Sequence, residues 1–171
     1  MHNNYTIQVK EVLKITEAKA KELGHPYVGT EHLLLGLANV YSGIAGQVLA
    51  QNEVKEVEIL RLIHELVSPV EGADQPKKAV WSPRLTAVLK QAEAEAQRFH
   101  AKKVGTEHLL MAIIQEDDCV AERILITLSI NPEKQRQDIL EGMGLDPKEY
   151  GEEGGGDKPG AAAGAGGPGQ R

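Results

Sequence analysis

Apolar residues fall at helical spacing in eight successive stretches, and nowhere do they alternate with polar ones long enough to make a strand. Thr6 is placed to cap a first helix whose inner face carries Val9, Val12, Leu13, Thr16, Ala20 and Leu23. Gly24 ends it in the left-handed fashion, with Pro26 close behind. Thr30 is read as the cap of a second helix bearing Leu33, Leu34 and Leu37. Ser42-Gly43 breaks the chain before a short helix with Ile44, Val48 and Leu49. A fourth is expected to hold Val54, Val57, Leu60, Ile63 and Leu66.

The plan then repeats. Ser82 caps a fifth helix with Pro83 at its first position, where the missing N–H costs nothing. Its stripe is Leu85, Val88, Leu89, Ala92, Ala96 and Phe99. Thr106 is read as the cap of the sixth, which turns Leu109, Leu110, Ile113 and Ile114 inward. Val120, Ile124 and Leu125 make a short seventh, and Asn131-Pro132 opens an eighth with Ile139, Leu140 and Met143.

The repetition is literal at one place. Val28-Gly29-Thr30-Glu31-His32-Leu33-Leu34 recurs unchanged beginning at Val104, 76 residues later (104 against 28). The same shift sets Tyr5-Thr6 on Trp81-Ser82, Val12-Leu13 on Val88-Leu89, and Val48-Leu49 on Ile124-Leu125. The expected fold is all-α, a tandem duplication of a four-helix repeat with pseudo-two-fold symmetry. Its bounds are a first repeat over 1–67, an inter-repeat loop over 68–80 holding Pro69, Gly72 and Pro76, and a second repeat over 81–145. Residues 146–171 read as a flexible linker, because nine of the 18 glycines lie from Gly151 onward and nothing there can build a core. Such a linker implies a further module beyond it.

Composition narrows the function. Aromatics make up only 4% of the 171 residues, so Leu, Ile, Val and Ala must fill the core, which suits helices. A net charge of −6 argues against nucleic acid, whose binding needs a basic stripe. The single cysteine, Cys119, excludes an internal disulfide framework and fits a reducing compartment. No signal peptide and no long apolar run is present, so no membrane partner is expected and a cytoplasmic location is.

Catalytic signatures are missing. There is no P-loop, no H-E-x-x-H, no C-x-x-C and no G-x-S-x-G. His2, His25, His32, His64, His100 and His108 lack ligand-like spacing within either repeat, so neither a metal nor a cofactor is expected. Cys119 has no neighbouring base and reads as a small apolar residue at a helix start. A hydrolase built on Glu31-His32 and Glu107-His108 fails on geometry, since adjacent helical residues point about 100° apart. What remains is Gly-Thr-Glu-His itself. Its Glu31 and Glu107 serve either as first-turn acids that complement the helix dipole or as ligand-binding carboxylates. His32 and His108 are expected to pack or hydrogen-bond locally.

Residues 29–37, their copy at 105–113 and Trp81-Ser82-Pro83-Arg84 resemble the Clp repeat domain, most of all the version in ClpC-type AAA+ unfoldases. The likeness runs in register over about residues 5–145. It implies a non-catalytic N-terminal domain that docks adaptor proteins and substrates for a hexameric, ATP-driven pore coupled to the ClpP peptidase. ATP would belong to the ATPase modules of the full-length relative, and the isolated domain would be monomeric. A free-standing adaptor acting on a separate unfoldase is the alternative. The resemblance further implies phosphoarginine recognition at two sites, Thr6 with Glu31 and Ser82 with Glu107. In the family the first helix usually begins Phe-Thr-Glu-Arg-Ala; here it runs Tyr5-Thr6-Ile7-Gln8-Val9, keeping the hydroxyl and losing the charged pair. Tyr5 and Trp81 precede the two hydroxyls and would either wall a partner surface or close the ends of the bundle by packing.

Overall fold

The computed structural model describes residues 4–67, 80–116 and 118–150. Two compact units divide after Pro132, and each is taken by itself. The first holds α1 (Ile7–Glu22), β1 (Tyr27–Val28), α2 (Thr30–Asn39), α3 (Ile44–Gln51), α4 (Glu56–Leu66), β2 (Val80–Trp81), α5 (Pro83–Arg98), α6 (Thr106–Gln115) and α7 (Val120–Thr127). α8 (Pro132–Gly142) and the single turn α9 (Pro147–Tyr150) follow. α9 falls in the stretch read as linker. The rest of that stretch from 151, and the expected loop over 68–79, lie outside the described residues. Among the described residues no single helix is long and apolar enough to cross a membrane.

The helices form where the apolar spacing places them. Val9, Val12, Leu13, Thr16 and Ala20 of α1 are buried, as are Leu85, Val88, Leu89, Ala92 and Ala96 of α5. α1 ends in a Schellman turn: Gly24 has φ +73°, and His25 N–H donates to Ala20 O at 3.0 Å. In α5 the same left-handed position is filled by His100, at φ 58°. α2 and α6 are the central elements, α1 lying on α2 and α5 on α6. Residues 30–38 of α2 are buried without exception, so its apolar content runs round the helix rather than down one stripe.

Two expectations need correction, the inner face of α4 and the absence of strands, and α5 buries an acid that the spacing did not single out. In α4 the buried residues are Ile59, Leu62 and Ile63, while Val57 is exposed and Leu66 partly so. A strict three-residue spacing drifts off a 3.6-residue helix, and the true face combines three- and four-residue steps. Glu95 of α5 is buried, its carboxylate accepting from Gln91 Nε2 and Gln115 Nε2 and pairing with Arg98. Two strands also exist. β1 and β2 pair in parallel, Tyr27 opposite Val80 and Val28 opposite Trp81, and Tyr5 bridges Val104 in the same sense.

Candidate functional site

Those short pairings join the two repeats crosswise. Thr6 N–H donates to Val104 O at 3.0 Å, and Ser82 N–H donates to Val28 O at 2.9 Å. Each helix-capping hydroxyl is therefore set beside the other repeat's Gly-Thr-Glu-His. The backbone brings Thr6 to the residue three places before Glu107, and Ser82 to the strand residue three places before Glu31. The cause is the length of α1. Its 16 residues carry the chain about 24 Å from Thr6 before it turns back toward Glu31.

Thr6 and Ser82 do cap their helices, Thr6 Oγ1 accepting from Val9 N–H and Ser82 Oγ from Leu85 N–H, both at 3.1 Å. Thr30 and Thr106 do not cap theirs. The N-caps of α2 and α6 are Gly29 and Gly105, whose N–H groups donate to Nδ1 of His32 and His108 at 2.8 Å. The threonine hydroxyls reach across instead. Thr30 Oγ1 accepts from Ala121 N–H at the start of α7, and Thr106 Oγ1 accepts from Ala45 N–H at the start of α3, each at 3.2 Å. Each repeat thereby satisfies an unpaired helix-start N–H of the other, in α3 where the Gly43 N-cap has no side chain and in α7 beside the Cys119 N-cap. Cys119, read as a small residue at a helix start, is the buried N-cap of α7, and burial raises its thiol pKa.

The two glutamates fold back over their own N-cap glycines. A Cβ at Gly29 would overlap Glu31 Oε1, and one at Gly105 would overlap Glu107 Oε1, so a larger residue at either position would displace the carboxylate from this posture. Glu31 is 1% exposed. It accepts from the Tyr27 hydroxyl at 3.0 Å. Burial raises its carboxyl above the usual range, a shift partly offset by its own N–H and by Tyr27. Glu107 is only half-buried. Tyr5 is buried; Trp81 is half-buried, its Nε1–H held by Glu17 at 2.8 Å.

The profile described as Clp repeat (R) N-terminal domain matches residues 4–128. The chain belongs to the Clp N-terminal domain family. This Clp N-domain is 34% identical over 139 residues to the ATP-dependent Clp protease ATP-binding subunit ClpC of Staphylococcus saprophyticus, covering 81% of this chain and 17% of that protein. It is 32% identical over 155 residues to the chaperone protein ClpB of Oceanobacillus iheyensis, covering 90% of this chain and 19% of that one. The chain thus spans less than a fifth of either relative. The solved complex of the ClpV N-domain with a VipB peptide shares its fold, with a TM-score of 0.64 at 21% identity, covering 82% of this chain and 89% of that one.

One cluster in this Clp N-domain escaped sequence reading. His25 Nδ1 and His32 Nε2 lie 2.7 Å apart beside Glu31, a grouping whose donor atoms fall within 4.8 Å. Seven residues separate the two histidines, across the turn from α1 to α2, so helical ligand spacing could not find them. The donor set suits a metal in kind, yet its geometry suits a hydrogen-bonded pair. Gly29 N–H fills His32 Nδ1, so the neutral ring carries its proton on Nε2 and gives it to His25. Two imidazoles on one zinc would stand about 3.3 Å apart, given Zn–N bonds of about 2.0–2.1 Å. Burial pushes His32 down to about 3 and lowers His25 as well, with His64 adding to the latter. In the second repeat Ala101 replaces the first histidine, and buried His108 Nε2 is left without a partner.

Proposed function

We propose that this chain is a non-catalytic docking domain of a ClpC-type protein unfoldase, recruiting clients and adaptor proteins for regulated proteolysis in the cytoplasm. Membership of the Clp N-terminal domain family, with 34% identity to a ClpC, carries the reading. A peptide bound to the ClpV N-domain supports the view that this fold serves as a receptor. ATP hydrolysis and contact with the ClpP peptidase belong to modules of the longer relatives. The organisation proposed is a first repeat over 1–67, a loop over 68–80, a second repeat over 81–145 and a linker over 146–171. That linker would hold clients at raised local concentration near the pore.

Phosphoarginine is the proposed mark. A guanidinium calls for a carboxylate in a charge-assisted hydrogen bond, and a phosphate calls for a hydroxyl and free helix-start N–H groups. At each join the crossed backbone brings a capping hydroxyl to a glutamate-bearing helix start, Thr6 to that of Glu107 and Ser82 to that of Glu31, and a join whose carboxylate is free offers both chemistries. Calorimetric titration with free phosphoarginine, beside arginine and phosphoserine, tests the reading. Saturable heat with phosphoarginine alone is expected. Equal responses to all three ligands, or none, would remove the mark and leave recruitment to adaptor surfaces.

A further inference from the structure

We infer that the two crossed joins are not equivalent: the one formed by Thr6 and Glu107 is open to a guanidino-phosphate ligand, whereas Tyr27 closes the one formed by Ser82 and Glu31. This rests on the docking reading above and assigns it to one half of the duplication.

The carboxylates start from the same posture. Both fold over an N-cap glycine so closely that a Cβ there would strike Oε1. Their exposure nevertheless differs, Glu31 being 1% exposed and Glu107 half-buried. The difference comes from what covers them. The Tyr27 hydroxyl donates to Glu31 Oε2 at 3.0 Å, the contact a guanidinium N–H would otherwise make. The Tyr27 ring is held in place by His25, stacked at 5.7 Å with 6° between planes, and by His32 at the same centroid distance. His25 is in turn fixed by the His32 hydrogen bond. None of this survives in the second repeat. There Tyr27 becomes Lys103 and His25 becomes Ala101, both exposed, so the Tyr27 cover has no counterpart at its position over Glu107.

Charge and backbone point the same way. Lys102 and Lys103 are exposed and immediately precede Val104, the residue paired with Tyr5 at the open join. The corresponding residues at the other join are Pro26 and Tyr27, which carry no charge at neutral pH. A phosphate dianion is favoured by the first setting, whereas at the second the guanidinium of Arg84, two residues past Ser82, is engaged by Glu116 at 3.0 Å. α1 also begins with Ile7 and Gln8, both with N–H groups outside the intrahelical ladder, whereas α5 begins with Pro83, which has none. Tyr27 and Lys103 are thus the residues that set which carboxylate is available.

Stoichiometry reads this directly. Calorimetry with phosphoarginine should give about one site per chain. Glu107→Gln should weaken binding about 10- to 100-fold, the range for a lost charge-assisted hydrogen bond. Glu31→Gln should leave affinity and stoichiometry unchanged, and Tyr27→Lys should raise the stoichiometry toward two. Should Tyr27→Lys fail to fold, the two glutamine variants still decide the matter. Two equal sites in the unaltered chain, or binding lost with Glu31→Gln and kept with Glu107→Gln, would overturn the inference alone. Absence of binding in every variant would overturn the phosphoarginine reading and this assignment with it.

Discussion

Thr106→Val removes a hydroxyl while keeping the shape of the side chain. Thr106 is 2% exposed and Ala45 fully buried, so the Ala45 N–H that now reaches Oγ1 at 3.2 Å has no water to turn to. A buried donor left unpaired costs about 1–3 kcal/mol, and a lost helix cap costs about 0.5–2 kcal/mol. These are one interaction counted two ways, so the expected loss is about 1–2 kcal/mol. For a unit of this size that lowers Tm by about 3–5 °C per kcal/mol. Urea unfolding followed by helical circular dichroism, with an unchanged m-value, measures it. Thr30→Val should cost a similar amount through Ala121, 91 residues away. Gly43→Ala attacks the first contact from the other side, because its Cβ would meet Thr106 Oγ1. Its cost should therefore fall when Thr106 is already alanine, a coupling of about 0.5 kcal/mol or more. Losses below about 0.5 kcal/mol for both valine variants, with no coupling, would refute mutual capping between the repeats.

His100→Gly should stabilise the fold by about 0.5–1 kcal/mol, since His100 holds φ 58° where α1 uses Gly24; thermal unfolding would show it, and a destabilised variant would contradict it. Ala101→His should supply an acceptor for His108 Nε2 and gain about 1 kcal/mol, read as a higher urea midpoint; no gain would mean that the orphan N–H is satisfied otherwise. His25, His32 and His108 all have folded pKa values lowered chiefly by burial. Their contribution is therefore complete above the unfolded value of about 6.5 and is lost as pH falls below it, by about 1.4 kcal/mol per unit for each histidine kept neutral. The raised Glu31 carboxyl works in the opposite sense as pH falls, so urea unfolding between about pH 7.5 and 5.5 is read in a Glu31→Gln background, where a flat profile would contradict the assignment.

The helices were legible because their signals are local. Thr6, Ser82 and Gly24 sit at their own helix ends and act where they sit, and the stripes of α1 and α5 bury the residues their spacing picks out except Leu23 and Phe99, the half-buried C-caps. The family was legible because two copies of one motif stand in register. What eluded reading was every relation between distant positions. Thr30 and Thr106 look like caps and are caps, but for helices beginning near Ala121 and Ala45. The strands are two residues long, too short to show alternation. Yet they decide which hydroxyl is brought to which glutamate-bearing helix start. The His25–His32 pair spans a turn, and the closure of Glu31 depends on Tyr27, whose role is visible only once the ring is seen beside both imidazoles.

A receptor site assembled from both repeats is best tested by mapping amide shifts of the nitrogen-15-labelled domain as phosphoarginine is added. Residues near Thr6 and Ile7 should move together with those near Gly105 and Glu107, at the same ligand concentration, while the region of Glu31 stays still. Shifts that group Thr6 with Glu31, or that fall on neither join, would contradict the account.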